Sequence, residues 1–346
     1  MVIVAEGDTL ERTASGRGSY STRAEQRVGW SRIEVTWIPR DANLLILETP
    51  PVDEAFSQWL ALREPIDAAA RSSAVTEAAL AAAIRAARGA DAVQVLDLAT
   101  GTGSNLRFLV ERLPSPQRWL VVDHSPILLT HLVERTAAWG AGRGYDVRTA
   151  HDGFTLRGTR LECRVDVRQE DLGTLKADGL FEGRHLVTAS ALLDLASGRW
   201  LGTLADRCRR AGAAALFTIT YDGRSISLPG EPEDTQVMEL FNRHQRTDKD
   251  LGGEAAGPEA AAMAAASFTD AGYQVRSAPS DWKVGPEDRA LQRTLIEGWA
   301  AAASAVAPEA AEATGAWLIR RLAHVDAGHS RIHVGHQDLA AWPAGG

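Results

Sequence analysis

Small residues form a turn directly after an apolar run, and an acidic residue lies on each side of that turn. The apolar run 95–98 contains Asp97 and leads into a turn that contains Gly101 and Gly103. A second apolar run, 119–122, ends at Asp123. A buried strand, a tight turn and a helix let backbone amides approach a ligand closely, and an acid closing the next strand can accept hydrogen bonds from ribose hydroxyls. The spacing predicts a nucleoside-cofactor site.

The turn departs from a full G-x-G-x-x-G pattern, because Ser104, Asn105 and Leu106 follow Gly103. Asp97, four residues before Gly101, instead makes the segment resemble motif I of the class I S-adenosylmethionine-dependent methyltransferases. The glycine pair alone does not separate a methyl donor from a hydride carrier. An aspartate inside the strand end favours the methyl donor.

Three later segments extend this resemblance, which covers about residues 55–340. Asp123 ends the second predicted strand, where the family places the acid for the ribose hydroxyls. Residues 169–172 follow the third strand, near the adenine amine, and residues 187–190 end the fourth, beside the methyl group. The resemblance implies S-adenosylmethionine as cofactor, with contacts from Asp97, Ala99, Thr100, Gly101, Gly103, Asp123, His124, Asp171, Leu172 and Ser190.

Some of these residues also have purely structural interpretations. Asp97 suits a turn or a helix cap, Asp171 suits a helix cap, and His124 suits a surface position at a helix start. We favour a cofactor role for Asp97 and Asp123, and keep both interpretations for the other two. In related methyltransferases an N-terminal helix often closes over the cofactor, so Arg63 or Arg71 is a candidate for the methionine carboxylate; solvated arginines are the alternative.

Methyl transfer needs a base only when the acceptor must lose a proton. Candidates follow the fourth and fifth predicted strands, where open α/β sheets bind ligands. Asp194 and Tyr221 are candidate catalytic groups at this edge, although Asp194 also suits a helix start. His244 is the first choice for a general base, because the pKa of an imidazole lies near neutrality. Residues 241–249 otherwise suit a solvated helix face.

Two further residues are candidate substrate contacts. Arg246 could pair with an acidic group on the acceptor, and Trp282 could wall the pocket, with an ordinary core position as the alternative. No metal is predicted: His329, His333 and His336 lack a common face on a strand.

Composition and charge limit the classes of molecule that this protein is expected to bind. The net charge is −8 and only three lysines occur, which disfavours nucleic acid. The two cysteines lack disulfide density and metal spacing, no apolar segment is long enough for a bilayer, and no secretory signal is recognisable. We expect a cytoplasmic enzyme with a small-molecule acceptor and no membrane partner.

The alternation of elements predicts an α/β fold with a doubly wound, mostly parallel seven-stranded sheet and an antiparallel last strand. Residues 1–52 form an N-terminal extension, predicted to be mobile at first and then a β-hairpin that could pair across a homodimer. Residues 53–346 form the methyltransferase domain. Helices are expected over 53–63 and 65–88, a polar loop beyond Tyr221, and a helical lid insertion at about 287–326.

Two other functions remain open at this point. A nicotinamide-dependent oxidoreductase also places an acid after its second strand, and a non-catalytic protein could keep the fold. The missing third glycine and the position of Asp97 count against the first of these. The sequence does not name the acceptor, nor whether oxygen, nitrogen or carbon is methylated.

Overall fold

The structure is a computed structural model that describes residues 52–177 and 179–344. The predicted mobile start, the hairpin at 28–48 and its proposed pairing across a homodimer lie outside these residues. In the described part of the chain, no helix is long and apolar enough to cross a membrane.

One mixed sheet forms the centre of the molecule. Its strands are β1 (Val93–Leu98), β2 (Gln117–Asp123), β3 (Asp146–Ala150), β4 (Gly153–Gly158), β5 (Leu161–Gln169), β6 (Leu186–Ser190), β7 (Ala214–Leu228), β8 (Tyr273–Pro279), β9 (Trp282–Val284) and β10 (Arg331–Pro343). The order is β3-β4-β5-β2-β1-β6-β7-β10-β8, with β9 also paired to β10. Strands β5, β2, β1, β6 and β7 are parallel neighbours, and β10 runs antiparallel to β7 and β8. The predicted fold class is confirmed.

The strand count differs from the predicted seven. Strands β5, β2, β1, β6, β7, β10 and β8 correspond to the predicted sheet, and β3 and β4 extend it at one edge as an antiparallel meander. The predicted hairpin at 154–161 therefore includes the third core strand itself, because β4 pairs directly with β5.

Helices cover both faces of the sheet. They are α1 (Val52–Ala70), α2 (Ser73–Ala86), α3 (Ser104–Leu109), α4 (Pro126–Gly142), α5 (Gly198–Ala211), α6 (Asp234–Gln245), α7 (Ala260–Asp270), α8 (Arg289–Val306) and α9 (Ala311–Asp326). Buried side chains of α2, α3 and α4 pack on one face, and those of α5 and α7 pack on the other. Each face thus buries a separate apolar layer, which is the doubly wound arrangement.

The first two helices meet at a different place from the predicted break at Pro65. Pro65 lies inside α1, and the chain turns at Arg71 and Ser72 instead. The Ser72 side chain accepts a hydrogen bond from the backbone of Val75, which caps α2, and the Ser72 amide donates to Asp338 at 2.8 Å. A cap and a buried carboxylate therefore decide the break, whereas α1 continues through Pro65 although a proline cannot donate a backbone hydrogen bond at that position.

Strand β7 continues where a polar loop was predicted. It runs past Tyr221 to Leu228 because residues 331–334 of β10 pair with 225–228. Its partner lies more than a hundred residues later in the chain, so local sequence carries no sign of it. The extended ladder, with β9, projects beyond the carboxyl ends of the central strands and supports α8 and α9.

Helices α8 and α9 fill the segment between β9 and β10. Their buried residues, among them Leu291, Ile296, Trp299 and Trp317, form a third apolar cluster with Ile332. Trp59 and Ile66 of α1 pack against this cluster. The insertion and α1 thus meet over the carboxyl edge of the sheet.

Candidate active site

Three adjacent strands have left-handed backbone at or beside the point where β1 and β6 end. Ala99 after β1, Ala191 after β6 and Ile219 within β7 have φ angles of 49°, 54° and 56°. Left-handed backbone is costly for residues with a Cβ, and most of all for a β-branched residue such as Ile219. Such strain concentrates at functional sites, where the surrounding structure maintains it. The carboxyl ends of β1, β6 and β7 are therefore the first place to look for a site.

The turn after β1 needs its glycines for two reasons. Gly101 and Gly103 have φ angles of 54° and 84°. A Cβ on Gly101 would lie 3.0 Å from Leu60 Cδ1 of α1, and one on Gly103 would lie 3.0 Å from Leu132 Cγ of α4. The turn is thus packed between two helices, and its backbone amides are kept close to the strand ends.

Asp97 is fully buried at the centre of a hydrogen-bond network. Its two carboxylate oxygens accept from Thr100 Oγ1 at 2.7 Å and from Asn105 Nδ2 at 2.6 Å. Burial raises the pKa of Asp97 to about 6, and the bonds from Asn105 and Thr100 oppose that rise. A buried carboxyl poised near neutrality, in a strand end, is a candidate functional group.

The same network reaches the end of β6. Arg71 Nη1 donates to Asn105 Oδ1 at 2.7 Å, and Arg71 Nη2 donates to Ser190 Oγ at 3.3 Å. Burial lowers the pKa of the Arg71 guanidinium, and its Nε has no hydrogen-bond partner. Strand order reverses between β1 and β6, and ligands bind at such switch points. Asp97, Asn105, Arg71 and Ser190 span it.

Asp123 connects the end of β2 to the glycine turn. One carboxylate oxygen accepts from the Gly101 amide at 2.8 Å, and the other accepts from the Ser125 amide at 3.0 Å. His124 is exposed, with Nδ1 3.2 Å from Asp123, and its hydrogen bond to Asp123 raises the pKa of the imidazole. Each carboxylate oxygen can accept more than one hydrogen bond, so Asp123 keeps capacity for hydroxyl groups.

The residues predicted beside the adenine differ in their placement. Leu172 is buried, and its carbonyl accepts from Trp200 Nε1 at 2.7 Å. Asp171 is exposed and accepts from the Gly173 amide at 2.8 Å, which is a turn contact. The turn explains Asp171 without a ligand, and its cofactor role stays a prediction.

A second group of residues lies next to the first, under α1. Six rings form a continuous chain, which we call the aromatic chamber. Neighbouring centroids are 4.8 to 6.3 Å apart in the order Trp59, Trp282, His336, Tyr221, Phe241 and Trp299. These rings come from α1, β9, β10, β7, α6 and α8. Aromatic rings at such distances are in contact and pack favourably against one another.

Arg63 of α1 lies over this chamber. Its guanidinium is 4.9 Å from the Trp282 ring centroid and 5.8 Å from that of Trp59. It donates to Asp67 from Nε at 2.9 Å and from Nη2 at 3.2 Å. Trp282 Nε1 donates to the same carboxylate at 3.0 Å. Asp67 thus joins the cation and the indole, and its charge offsets that of Arg63.

The predicted catalytic residues occupy different environments. Asp194 is buried after β6, one of its carboxylate oxygens has no hydrogen-bond partner, and burial raises its pKa to about 6. The Tyr221 hydroxyl donates to Asn242 Oδ1 at 2.8 Å, and burial raises the pKa of the phenol. His244 lies in the last turn of α6, where burial lowers its pKa.

The two predicted substrate contacts, Trp282 and Arg246, also lie in different environments. Trp282 is 2% exposed and belongs to the aromatic chamber. Arg246 lies at the surface and forms an ion pair with Glu259 at 2.6 Å. That pairing gives Arg246 a partner within the chain, unlike the acidic acceptor group that we predicted for it.

Sequence reasoning missed several residues of these two networks. Asn105 stood directly after the glycine turn, and its amide could have suggested that it bridges two polar groups. His336 was considered only as a metal ligand, and Asp67 and Asp338 had no motif around them. No cluster of three or more metal-binding side chains occurs between residues 52 and 344, residue 178 excepted.

Comparisons with known proteins give weak likenesses. No family model and no curated protein matches the sequence. A SAM-dependent methyltransferase from Thiobacillus denitrificans, in complex with S-adenosyl-L-homocysteine, is 16% identical with a TM-score of 0.39, over 86% of this chain and 100% of that chain. Cyclopropane synthase MmaA2 from Mycobacterium tuberculosis is 12% identical with a TM-score of 0.37, over 72% and 78%. Geranyl diphosphate C-methyltransferase from Streptomyces coelicolor is 12% identical with a TM-score of 0.36, over 76% and 80%.

With TM-scores below 0.5 these likenesses are too low to define the fold, so the strand order of this chain has to decide it. The parallel order β5-β2-β1-β6-β7, continued by the antiparallel strand β10 and then by β8, does so. This order agrees with the sheet that the resemblance to the class I methyltransferases implied. Many chemistries share such a scaffold, so function has to be argued from the two networks.

Proposed function

We propose that this chain is a methyltransferase that uses S-adenosylmethionine to methylate oxygen or nitrogen of a small molecule. The observation that carries the proposal is the hydrogen-bonded chain from Asp97 through Asn105 and Arg71 to Ser190 at the switch point. When bound, the cofactor supplies a methyl group on a sulfonium, which is an activated leaving group. The chain's own residues then need mainly to align the reactants and exclude water.

The donor set suits the polar groups of this cofactor. Asp97 offers a buried carboxylate for an ammonium group, and Arg71 offers a buried guanidinium with an unpartnered Nε for a carboxylate. Asp123 can accept from a ribose diol while it retains the Gly101 amide. The turn from Ala99 to Gly103 provides close backbone approach. These contacts, and those proposed for His124, Asp171 and Leu172, are our assignment of the cofactor site.

The aromatic chamber is our candidate for the acceptor site. It adjoins the carboxyl end of β6 and the middle of β7, and residues of α1 and of the α8–α9 insertion pack over it, which suits a lid that excludes water. We propose Asp194 as the group most suited to take a proton or hold the acceptor. Tyr221 is less suited because its hydroxyl is bound to Asn242. His244 remains a candidate base from α6.

The direct test is isothermal titration calorimetry with S-adenosylhomocysteine, the product form of the cofactor. We expect saturable binding to the wild type, with NADH titrated in parallel by fluorescence as the competing cofactor. Tight NADH binding without S-adenosylhomocysteine binding would favour an oxidoreductase and overturn the proposal. Cofactor binding without methyl transfer to any acceptor in a broad screen would favour a non-catalytic protein with this fold.

A further inference from the structure

In and beside the aromatic chamber, the side-chain donors of Tyr221 and Trp282 are already bonded, whereas hydrogen-bond acceptors remain available. The Tyr221 hydroxyl already donates to Asn242, and Trp282 Nε1 already donates to Asp67. Asp194 is 7% exposed, and its Oδ1 has no hydrogen-bond partner. A buried carboxylate oxygen without a partner is costly, and such a group persists where a ligand satisfies it.

His336, whose ring centroid is 6.1 Å from that of Tyr221, adds a second acceptor to the aromatic chamber. Its Nδ1 lies 3.1 Å from the Val334 carbonyl. A carbonyl can only accept, so Nδ1 carries the hydrogen and Nε2 keeps its lone pair. Burial, followed by the positive charge of Arg63, lowers the pKa of His336 to about 3, which keeps the ring neutral. Gly335 and His336 lie at a register shift between β10 and β7, and such irregularities re-aim side chains near active sites.

The charges around the chamber favour a cation. Arg63 contributes one positive charge, which the two-point pairing with Asp67 offsets. Asp194 then adds a negative charge when it is ionised, and the neutral His336 adds none. The rings of Trp59 and Trp282 already hold one cation, the Arg63 guanidinium, on their faces. An anionic ligand would meet the carboxylate of Asp194 in a low-dielectric site, which is unfavourable.

We propose that the acceptor is an amine that enters the aromatic chamber as a cation, packs against its rings and donates hydrogen bonds to Asp194 Oδ1 and His336 Nε2. The ammonium nitrogen gives one proton to the Asp194 carboxylate. Its freed lone pair then forms the new nitrogen–carbon bond as the methyl–sulfur bond of the cofactor breaks and S-adenosylhomocysteine leaves. This inference rests on the proposed function and narrows it from oxygen or nitrogen to nitrogen. A carboxylate accepts a charge-assisted hydrogen bond from an ammonium group, and the rings attract the same charge through their faces.

The test compares matched ligands of opposite charge on the protein loaded with S-adenosylhomocysteine. The pairs are tryptamine with indole-3-propionate, and phenethylamine with 3-phenylpropionate, titrated by calorimetry at pH 8. At that pH Asp194 is ionised and the amines are protonated. We expect each amine to bind at least about tenfold more tightly than its carboxylate partner, as one charge-assisted hydrogen bond predicts.

The variant Asp194→Asn keeps the shape of the side chain and removes its charge. Burial already disfavours the charged form of Asp194, so this variant should fold. It should lose the preference for amines while its affinity for S-adenosylhomocysteine stays within about twofold. Asp270→Asn, at an exposed end of α7, is the matched control and should keep both properties.

Three results would overturn the inference while the proposed function survives. These are carboxylates binding as tightly as amines, amine affinity unchanged in Asp194→Asn, or no binding of either amine at millimolar concentration by protein that binds S-adenosylhomocysteine. Failure of S-adenosylhomocysteine itself to bind would instead remove the proposed function.

Discussion

The cofactor network and the aromatic chamber lie side by side at one sheet edge, yet they are built differently. Asp97, Thr100 and Asn105 fall within nine consecutive residues, and the strand, turn and helix that hold them are contiguous. The chamber takes Trp59, Tyr221 and His336 from elements spread over most of the described chain. A local unit can be inherited and recognised as a motif, whereas an assembled surface can change its specificity one element at a time.

The two regions also differ in how their polar groups are satisfied. In the cofactor network both Asp97 oxygens are bonded, and the atom without a partner is a donor, Arg71 Nε. In the chamber, Asp194 Oδ1 has no partner. We therefore expect substitutions in the first region to change cofactor affinity strongly and those in the second to leave it almost unchanged.

Asp123→Ala should give the largest effect. It removes an acceptor for the ribose hydroxyls and also releases the Gly101 amide that fixes the glycine turn. We expect S-adenosylhomocysteine to bind about 100-fold more weakly by calorimetry, since one or more hydrogen bonds to a charged group are lost. Asp146→Ala, an exposed carboxylate on β3, is the control. Equal affinity in the two variants would remove Asp123 from the cofactor site.

Arg71→Ala should come next. Loss of the guanidinium leaves Asn105 Oδ1 without its donor and removes the bond to Ser190. Hydrogen bonds to charged groups are worth about 2 kcal/mol, which corresponds to about thirtyfold in affinity for S-adenosylhomocysteine. Arg71→Lys keeps a positive charge without the planar fork, so an intermediate affinity would show that geometry contributes as well as charge. Wild-type affinity in Arg71→Ala would contradict the assignment.

The pH dependence of cofactor binding should report Asp97. Its pKa is raised to about 6 in the free protein, and only the ionised form attracts an ammonium group. Affinity for S-adenosylhomocysteine should be flat above about pH 6 and should fall by up to about tenfold for each pH unit below it. Asp97→Asn should flatten this profile and Asp194→Asn should not. If Asp194→Asn flattened the profile and Asp97→Asn did not, the ammonium group of the cofactor would have to be assigned to Asp194 and not to Asp97.

Trp282→Phe should separate stability from cofactor binding. The change removes the indole donor to Asp67 in a buried site and weakens the contact with Arg63. We expect the free energy of unfolding to fall by about 1 to 2 kcal/mol in urea denaturation. S-adenosylhomocysteine affinity should remain within about twofold. A large loss of that affinity would show that the chamber and the cofactor network are energetically coupled.

Arg246→Ala should have the smallest effect. Its ion pair with Glu259 is largely exposed, and exposed pairs contribute about 0.5 kcal/mol or less. We expect unchanged unfolding and cofactor binding, with Glu259→Ala as the matched control. If Arg246→Ala alone abolished binding of a carboxylate-bearing ligand, the original prediction of an acidic acceptor group would return.

Some of the residues in these predictions were identified from the sequence, and others were revealed only by the structure. The parallel order, the glycine turn and the acids Asp97 and Asp123 were predictable because they repeat a pattern within short βα units. The break at Ser72 and the extension of β7 to Leu228 were not, because Asp338 and residues 331–334 impose them from far along the chain. Long-range pairing overrides the local turn signals beyond Tyr221.

The candidate site likewise has one part that the sequence predicted and another part that it did not. The sequence by itself determined a strand, turn and helix that can hold a nucleoside cofactor, because the backbone geometry and the acids that need each other are neighbours in the chain. Only the tertiary structure decided which rings, carboxylate and imidazole stand beside it. Arg63 lies close enough to Asp194 and to His336 for its charge to lower the pKa of each. This proximity arises because α1 folds back over the sheet and β10 pairs antiparallel with β7. No local sequence pattern predicts this proximity, because it depends on which distant segments of the chain pack against each other.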